Sequence, residues 1–142
     1  MAERSFVEEV KKLRMGAGEV FSGEGILAVT VAALRERGVL IVGSGNLVHN
    51  LRTMRREAAD NQAYDWAIEF DHITAEHITQ KRLPSLCDFQ QLGAVAQMAH
   101  PSWEHYLPLL YAAGAVCEDD EPSFFNEGFQ GASISMRSVM WR

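Results

Sequence analysis

An α/β fold with several helices and few strands is predicted by three observations. A helical segment, a glycine and a run of aliphatic residues follow one another from Gly25 to Val42. Apolar residues at helical spacing recur from Ala63 to Ala99, and residues 131–141 alternate small polar with apolar side chains. Helix, glycine, then aliphatic strand is the unit that feeds a parallel sheet. The expected architecture is a partial three-layer sandwich with a parallel or mixed sheet. Two strands fall short of the roughly four or more that an open α/β sheet usually holds. Either weak strands are hidden in the loops, or another chain, a second copy in a homo-oligomer or a complementary subunit, completes the sheet.

The elements follow in order. Phe6, Val7, Val10 and Leu13 share one side of a short helix over residues 4–14, and four glycines make 15–25 a loop. Leu27, Val31 and Leu34 recur at helical spacing, and Gly38 stands where a left-handed C-terminal cap belongs. Val39-Leu-Ile-Val42 has no polar alternation and reads as a strand buried on both faces. Gly43-Ser-Gly45 allows a sharp turn into a helix over 46–57. Asp60-Asn-Gln62 breaks that helix, a longer one spans 63–81, and a modest one spans 85–99. An acidic loop over 118–122 precedes the closing strand within 131–141. Two units are expected: residues 1–23, an N-terminal helix and glycine-rich loop, and residues 24–142, the principal domain.

Composition narrows the function. The chain has 142 residues, 47% of them hydrophobic and 23% charged, enough for one self-sufficient core. A net charge of -6 gives no basic footprint for nucleic acid. No apolar run reaches the length of a membrane span and no signal-peptide pattern opens the chain, so no membrane partner is expected. Cys87 and Cys117 are isolated, which fits a reduced, cytoplasmic compartment.

Five histidines remain to be weighed: His49, His72, His77, His100 and His105. Glu69, His72 and Glu76 share one helical face, but the matching pair from a second helix that a bundle metal site needs is missing; a solvated face is expected. His77 reads as surface. His49 follows the carboxyl end of the predicted strand, where open α/β sheets collect ligands, and is a candidate for proton transfer or metal ligation. The alternative is a histidine that satisfies a loop carbonyl. In His100-Pro-Ser-Trp-Glu-His105, Ser102 is a good N-cap and residues 103–105 would form a first helical turn. The dipole there would keep His105 neutral, as a general base or metal ligand must be. The bland reading is a half-buried histidine bonded to backbone. His100, across Pro101, is a further candidate donor. Trp103, Tyr106 and Tyr111 line a pocket or belong to the core.

Three motifs occur in order: Val42-Gly-Ser-Gly-Asn-Leu-Val-His-Asn-Leu-Arg52, His100-Pro-Ser-Trp-Glu-His-Tyr-Leu-Pro-Leu-Leu-Tyr-Ala-Ala-Gly114 and Gly131-Ala-Ser-Ile-Ser-Met-Arg-Ser-Val139. Together they resemble the C-terminal half of class III extradiol ring-cleavage dioxygenases, nearest the DOPA-dioxygenase-like branch, from about residue 24 to the end. The resemblance implies an enzyme that inserts dioxygen beside the hydroxyl pair of a catechol-like small molecule, using one non-haem iron or zinc ion. It implies that His105 is a metal ligand and His49 an acid/base or additional ligand. The family's other two ligating histidines lie in an N-terminal half, in a His-Gly-Ser-Pro loop and a His-Trp pair, and neither motif occurs in this chain. Three functions follow. One is a dioxygenase component whose metal site another subunit or a missing half completes. The second is a metal-free cyclase or isomerase with His49 or His105 as base, and the third a non-catalytic paralogue.

Overall fold

The computed structural model describes residues 33–142. The helix expected over 4–14, the loop after it and the boundary at residue 23 lie outside the described residues. Residues 33–35 end a helix. Val39 N–H reaches back to the Leu34 carbonyl at 3.1 Å and Gly38 N–H to that of Arg35 at 2.9 Å. With Gly38 at φ +76°, this is a Schellman closure, as its position in sequence predicts.

The next expectation fails. Among the described residues Val39–Val42 joins no ladder, Leu40 and Val42 are 84% and 76% exposed, and no backbone hydrogen bond links residues 40–45 to another described residue. A strand is a relation between two chains. The aliphatic run encodes burial on both faces, but the described residues place no strand beside it.

The helix expected over 46–57 is replaced by irregular backbone and one 3-10 turn, Leu51–Thr53, capped by the Asn50 side chain. The reason lies in distant partners. Asn46 N–H donates to the His105 carbonyl, His49 N–H to Ala99 and Asn50 N–H to Ser133, so these groups cannot close helical turns.

The long helix forms as expected: α1, Asp65–Thr79, buries Ala67, Phe70, Asp71, Thr74 and Ile78 along one stripe. Residues 85–99 do not form one helix. Two 3-10 turns, Leu83–Leu86 and Phe89–Leu92, lead into the short α2, Ala94–Ala99. The helix after His100 begins later than expected, as α3, Leu107–Gly114, with Pro108 in its first turn. Proline lacks an N–H, and the first turn is where its absence costs no helical bond. Ser102 therefore caps no helix, and His105 sits in the turn before α3.

Four short strands close the chain: β1 Pro122–Phe125, β2 Phe129–Gln130, β3 Ile134–Ser135 and β4 Ser138–Trp141. β1 pairs with β4 and β2 with β3, both antiparallel. The α/β class with several helices and few strands stands. The parallel or mixed sheet and the three layers are not seen among the described residues, where β2 pairs with β3, β1 and β4 pair around them, and Ala63 and Ala132 form an isolated parallel bridge.

Phe70 of α1 lies at the centre of the core, its ring 5.7 Å from that of Tyr106, 5.3 Å from His100 and 6.4 Å from Phe89. Val48, fully buried, joins the same cluster and anchors the segment that carries His49. No helix among the described residues is long and apolar enough to cross a membrane.

Candidate active site

Residues 46–50 lie between two other parts of the chain, and that placement makes the site. On one side, Ser135 N–H donates to the Val48 carbonyl at 3.0 Å, the Asn46 side-chain amide donates to the Ser135 carbonyl at 3.0 Å, and His49 bridges Ile134 in antiparallel register. Ser133 Oγ donates to the Asn50 carbonyl at 2.8 Å. On the other side, His49 N–H donates to the Ala99 carbonyl at 3.0 Å and Asn46 N–H to the His105 carbonyl at 2.8 Å.

The glycines of the first motif permit the second contact. A Cβ on Gly45 would stand 2.2 Å from the His105 carbonyl oxygen, and one on Gly43 would stand 2.4 Å from that of Pro108. Only bare backbone can approach so closely.

The outcome is that His49 and His105, 56 positions apart in sequence, meet with ring centroids 3.6 Å apart and planes inclined at 61°. His49 is half-buried, while His105 is exposed. Burial, and then the neighbouring His105 imidazole, hold the His49 pKa below the ordinary histidine value. His49 is therefore a neutral donor or proton acceptor near neutral pH. His105 lines an apolar cavity of about 440 Å³ between residues 39–47, α3 and β4, within the size range of small-molecule sites.

The other sequence candidates separate from this pair. His100 does not face it as a third donor: it is buried, with Nε2 2.7 Å from the Leu47 carbonyl oxygen. Glu69, His72 and Glu76 are exposed, as expected of a solvated face. His77 departs from its surface reading, since it is half-buried and its Nδ1 is buried without a hydrogen-bond partner among the described residues. Tyr106 is core, Trp103 is 41% exposed, and Cys87 and Cys117 are exposed free thiols.

A polar network went unread in the sequence. Asp71 on α1 is 1% exposed; its Oδ1 accepts from Ser135 Oγ at 2.6 Å and its Oδ2 from Arg137 Nε at 2.9 Å. Arg137 also pairs with Glu127, and its guanidinium lies 5.0 Å from the Phe124 ring centroid. The only hint was Asp71 on the apolar stripe of α1. This network pins the 133–137 segment, and with it the outer wall of the His49 segment.

Two adjacent imidazoles offer the nitrogen donors that non-haem iron and zinc accept. No group of three or more His, Cys, Asp or Glu side chains suited to a metal ion occurs among the described residues. The donor chemistry suits such an ion, and the pair alone is fewer than the three protein ligands a stable site usually has.

This arrangement has relatives. The family model for the catalytic LigB subunit of aromatic ring-opening dioxygenase matches residues 23–139. The chain belongs to that family, as the motifs imply. It is 36% identical over 115 residues to a 4,5-DOPA dioxygenase extradiol of Escherichia coli K12, covering 77% of this chain and 41% of the relative. It is 34% identical over 104 residues to one of Mirabilis jalapa, covering 73% and 38%. A crystal structure of an uncharacterized Escherichia coli K12 protein superimposes with a TM-score of 0.70 at 33% identity, over 87% of this chain and 49% of that one. The chain thus spans about two fifths of the length of the curated relatives it matches.

Proposed function

We propose that this chain is a component of an extradiol ring-cleaving dioxygenase acting on a catechol-like small molecule, with His49 and His105 as its contribution to the reaction centre. The observation that carries the reading is the 3.6 Å approach of His49 to His105, whose side of the pair lines an apolar cavity. His105 is the ligand for a non-haem iron or zinc ion, and His49 is an additional ligand or the acid/base that takes a catechol proton. Such an ion, when bound, supplies Lewis acidity toward a catecholate. The chain's own groups do the remaining work: His49 accepts a proton at a ring nitrogen kept free by its lowered basicity. The cavity walls at Pro108, Leu109 and Val139 shield an aromatic ring from water.

The remaining donors come, in this reading, from a complementary subunit or a second copy that pairs with Val39–Val42. Two observations support this: the exposed Leu40 and Val42 side chains, and the lack of backbone partners over 40–45 among the described residues. The protein acts in the cytoplasm. A second reading, metal-free cyclisation or isomerisation with His49 as base, draws support from its lowered basicity.

Elemental analysis of protein purified without chelator, together with oxygen uptake on a catechol, tests the proposal. The expected result is iron or zinc bound in proportion to chain, uptake abolished by chelator, and uptake lost in His49→Ala and His105→Ala. Chelator-insensitive turnover without oxygen uptake would favour the second reading. Normal turnover in both variants would refute each of them.

A further inference from the structure

We propose that His100 is a positioning residue, whose Nε2–H holds the Leu47 carbonyl and so fixes the backbone that presents His49 to His105. The inference rests on the reading of that pair as the working site.

His100 and Leu47 are 53 positions apart, and their contact is short, 2.7 Å from Nε2 to the carbonyl oxygen, and buried. A carbonyl can only accept, so Nε2 carries the proton. The other nitrogen agrees: Nδ1 is buried with no hydrogen-bond partner among the described residues, a state that suits a lone pair better than an N–H. Both ring nitrogens therefore specify one neutral tautomer. The ring cannot swing, because Tyr106 and Phe70 stand 5.0 and 5.3 Å from it, centroid to centroid.

The contact also belongs to a series. Met98, Ala99 and His100 engage the His49 segment in antiparallel order. The Asn50 amide donates to the Met98 carbonyl at 2.6 Å, His49 N–H to the Ala99 carbonyl at 3.0 Å, and His100 to the Leu47 carbonyl. Residues on both sides of His49 are thereby tied to the stretch that leads, five residues later, into His105. Of Met98, Ala99 and His100, His100 alone engages the His49 segment through its side chain, while Met98 and Ala99 offer carbonyls. If His100 served packing alone, a phenyl ring would fill the space as well; the buried Leu47 carbonyl requires a donor.

His100→Phe and His100→Gln separate the two roles, since the Gln amide nitrogen can take the place of Nε2 and a phenyl ring cannot. The readout is the nuclear Overhauser cross-peak between the His49 and His105 rings, with zinc affinity measured alongside. The wild type and His100→Gln are expected to keep the cross-peak. His100→Phe is expected to lose it and to weaken zinc binding by on the order of 10–100-fold, as losses of supporting hydrogen bonds do. A folded His100→Phe with cross-peak and affinity intact, or equal losses in both variants, would overturn the inference. If the Phe variant does not fold, the wild-type imidazole nitrogen spectrum decides. A slowly exchanging Nε2–H on His100 is expected, and a proton on Nδ1 would overturn the inference. A cross-peak in wild type without zinc binding would leave His100's role standing and show that the pair grips no ion without further donors.

Discussion

Replacing Gly45 by Ala is the sharpest single perturbation of the account, because its consequence follows from one distance. The added Cβ would lie 2.2 Å from the His105 carbonyl oxygen, against 3.4 Å for ordinary contact. The two backbones must separate by about 1 Å, since neither atom belongs to a flexible side chain. Forced overpacking of this kind costs about 1–3 kcal/mol. The Asn46 N–H to His105 bond, 2.8 Å in the native chain, stretches past useful length and adds about 1 kcal/mol. The expected destabilisation is thus about 2–4 kcal/mol, read from urea unfolding near neutral pH, with loss of the His49–His105 cross-peak. Gly38→Ala is the control. Its Cβ meets no atom of the described residues within 4 Å, so the left-handed φ of +76° is what opposes it, at about 1 kcal/mol. A Gly45→Ala variant no less stable than Gly38→Ala, with its cross-peak intact, would refute the reasoning that the glycines exist for this close approach.

Burial holds His100 at about 4 against an ordinary 6.5, so its contribution to stability is complete above pH 6.5 and is lost as the pH falls toward 4. The loss amounts to about 3 kcal/mol; urea titrations across that window should show it in wild type and not in His100→Gln, and equal slopes would contradict it. Asp71→Ala removes the partner of both Ser135 and Arg137. It should cost about 3 kcal/mol by chemical denaturation, and a change below about 1 kcal/mol would mean that Glu127 alone satisfies the guanidinium. Leu40→Asp, at a side chain 84% exposed, should change the stability of the isolated chain by less than about 0.5 kcal/mol while lowering its mass in solution if copies pair there. A large loss of stability would show that Leu40 is packed within the chain.

Much of the helix content was legible in the sequence because it is local. The α1 stripe of Ala67, Phe70, Thr74 and Ile78 and the closure at Gly38 depend on residues within a few positions of one another. The irregular segment at 46–57 was not legible, since its backbone groups find partners at Ala99, His105 and Ser133. Periodicity carries no information about such distant bonds. The Val39–Val42 run was misread for a related reason: aliphatic side chains announce a demand for burial but not the element that meets it. Within the site, the motifs marked His49 and His105 correctly as residues that meet. They gave no sign that His100 turns away to the Leu47 carbonyl, or that Asp71 reaches Ser135 and Arg137, 64 and 66 positions away.

The central claim is that His49 and His105 act as one site. A double-mutant cycle on zinc affinity tests it, using wild type, His49→Ala, His105→Ala and the double variant. If both imidazoles grip one ion, either single replacement should remove nearly as much affinity as both together. Losses that simply add, or a single variant that binds as wild type does, would show that the two rings meet without working together.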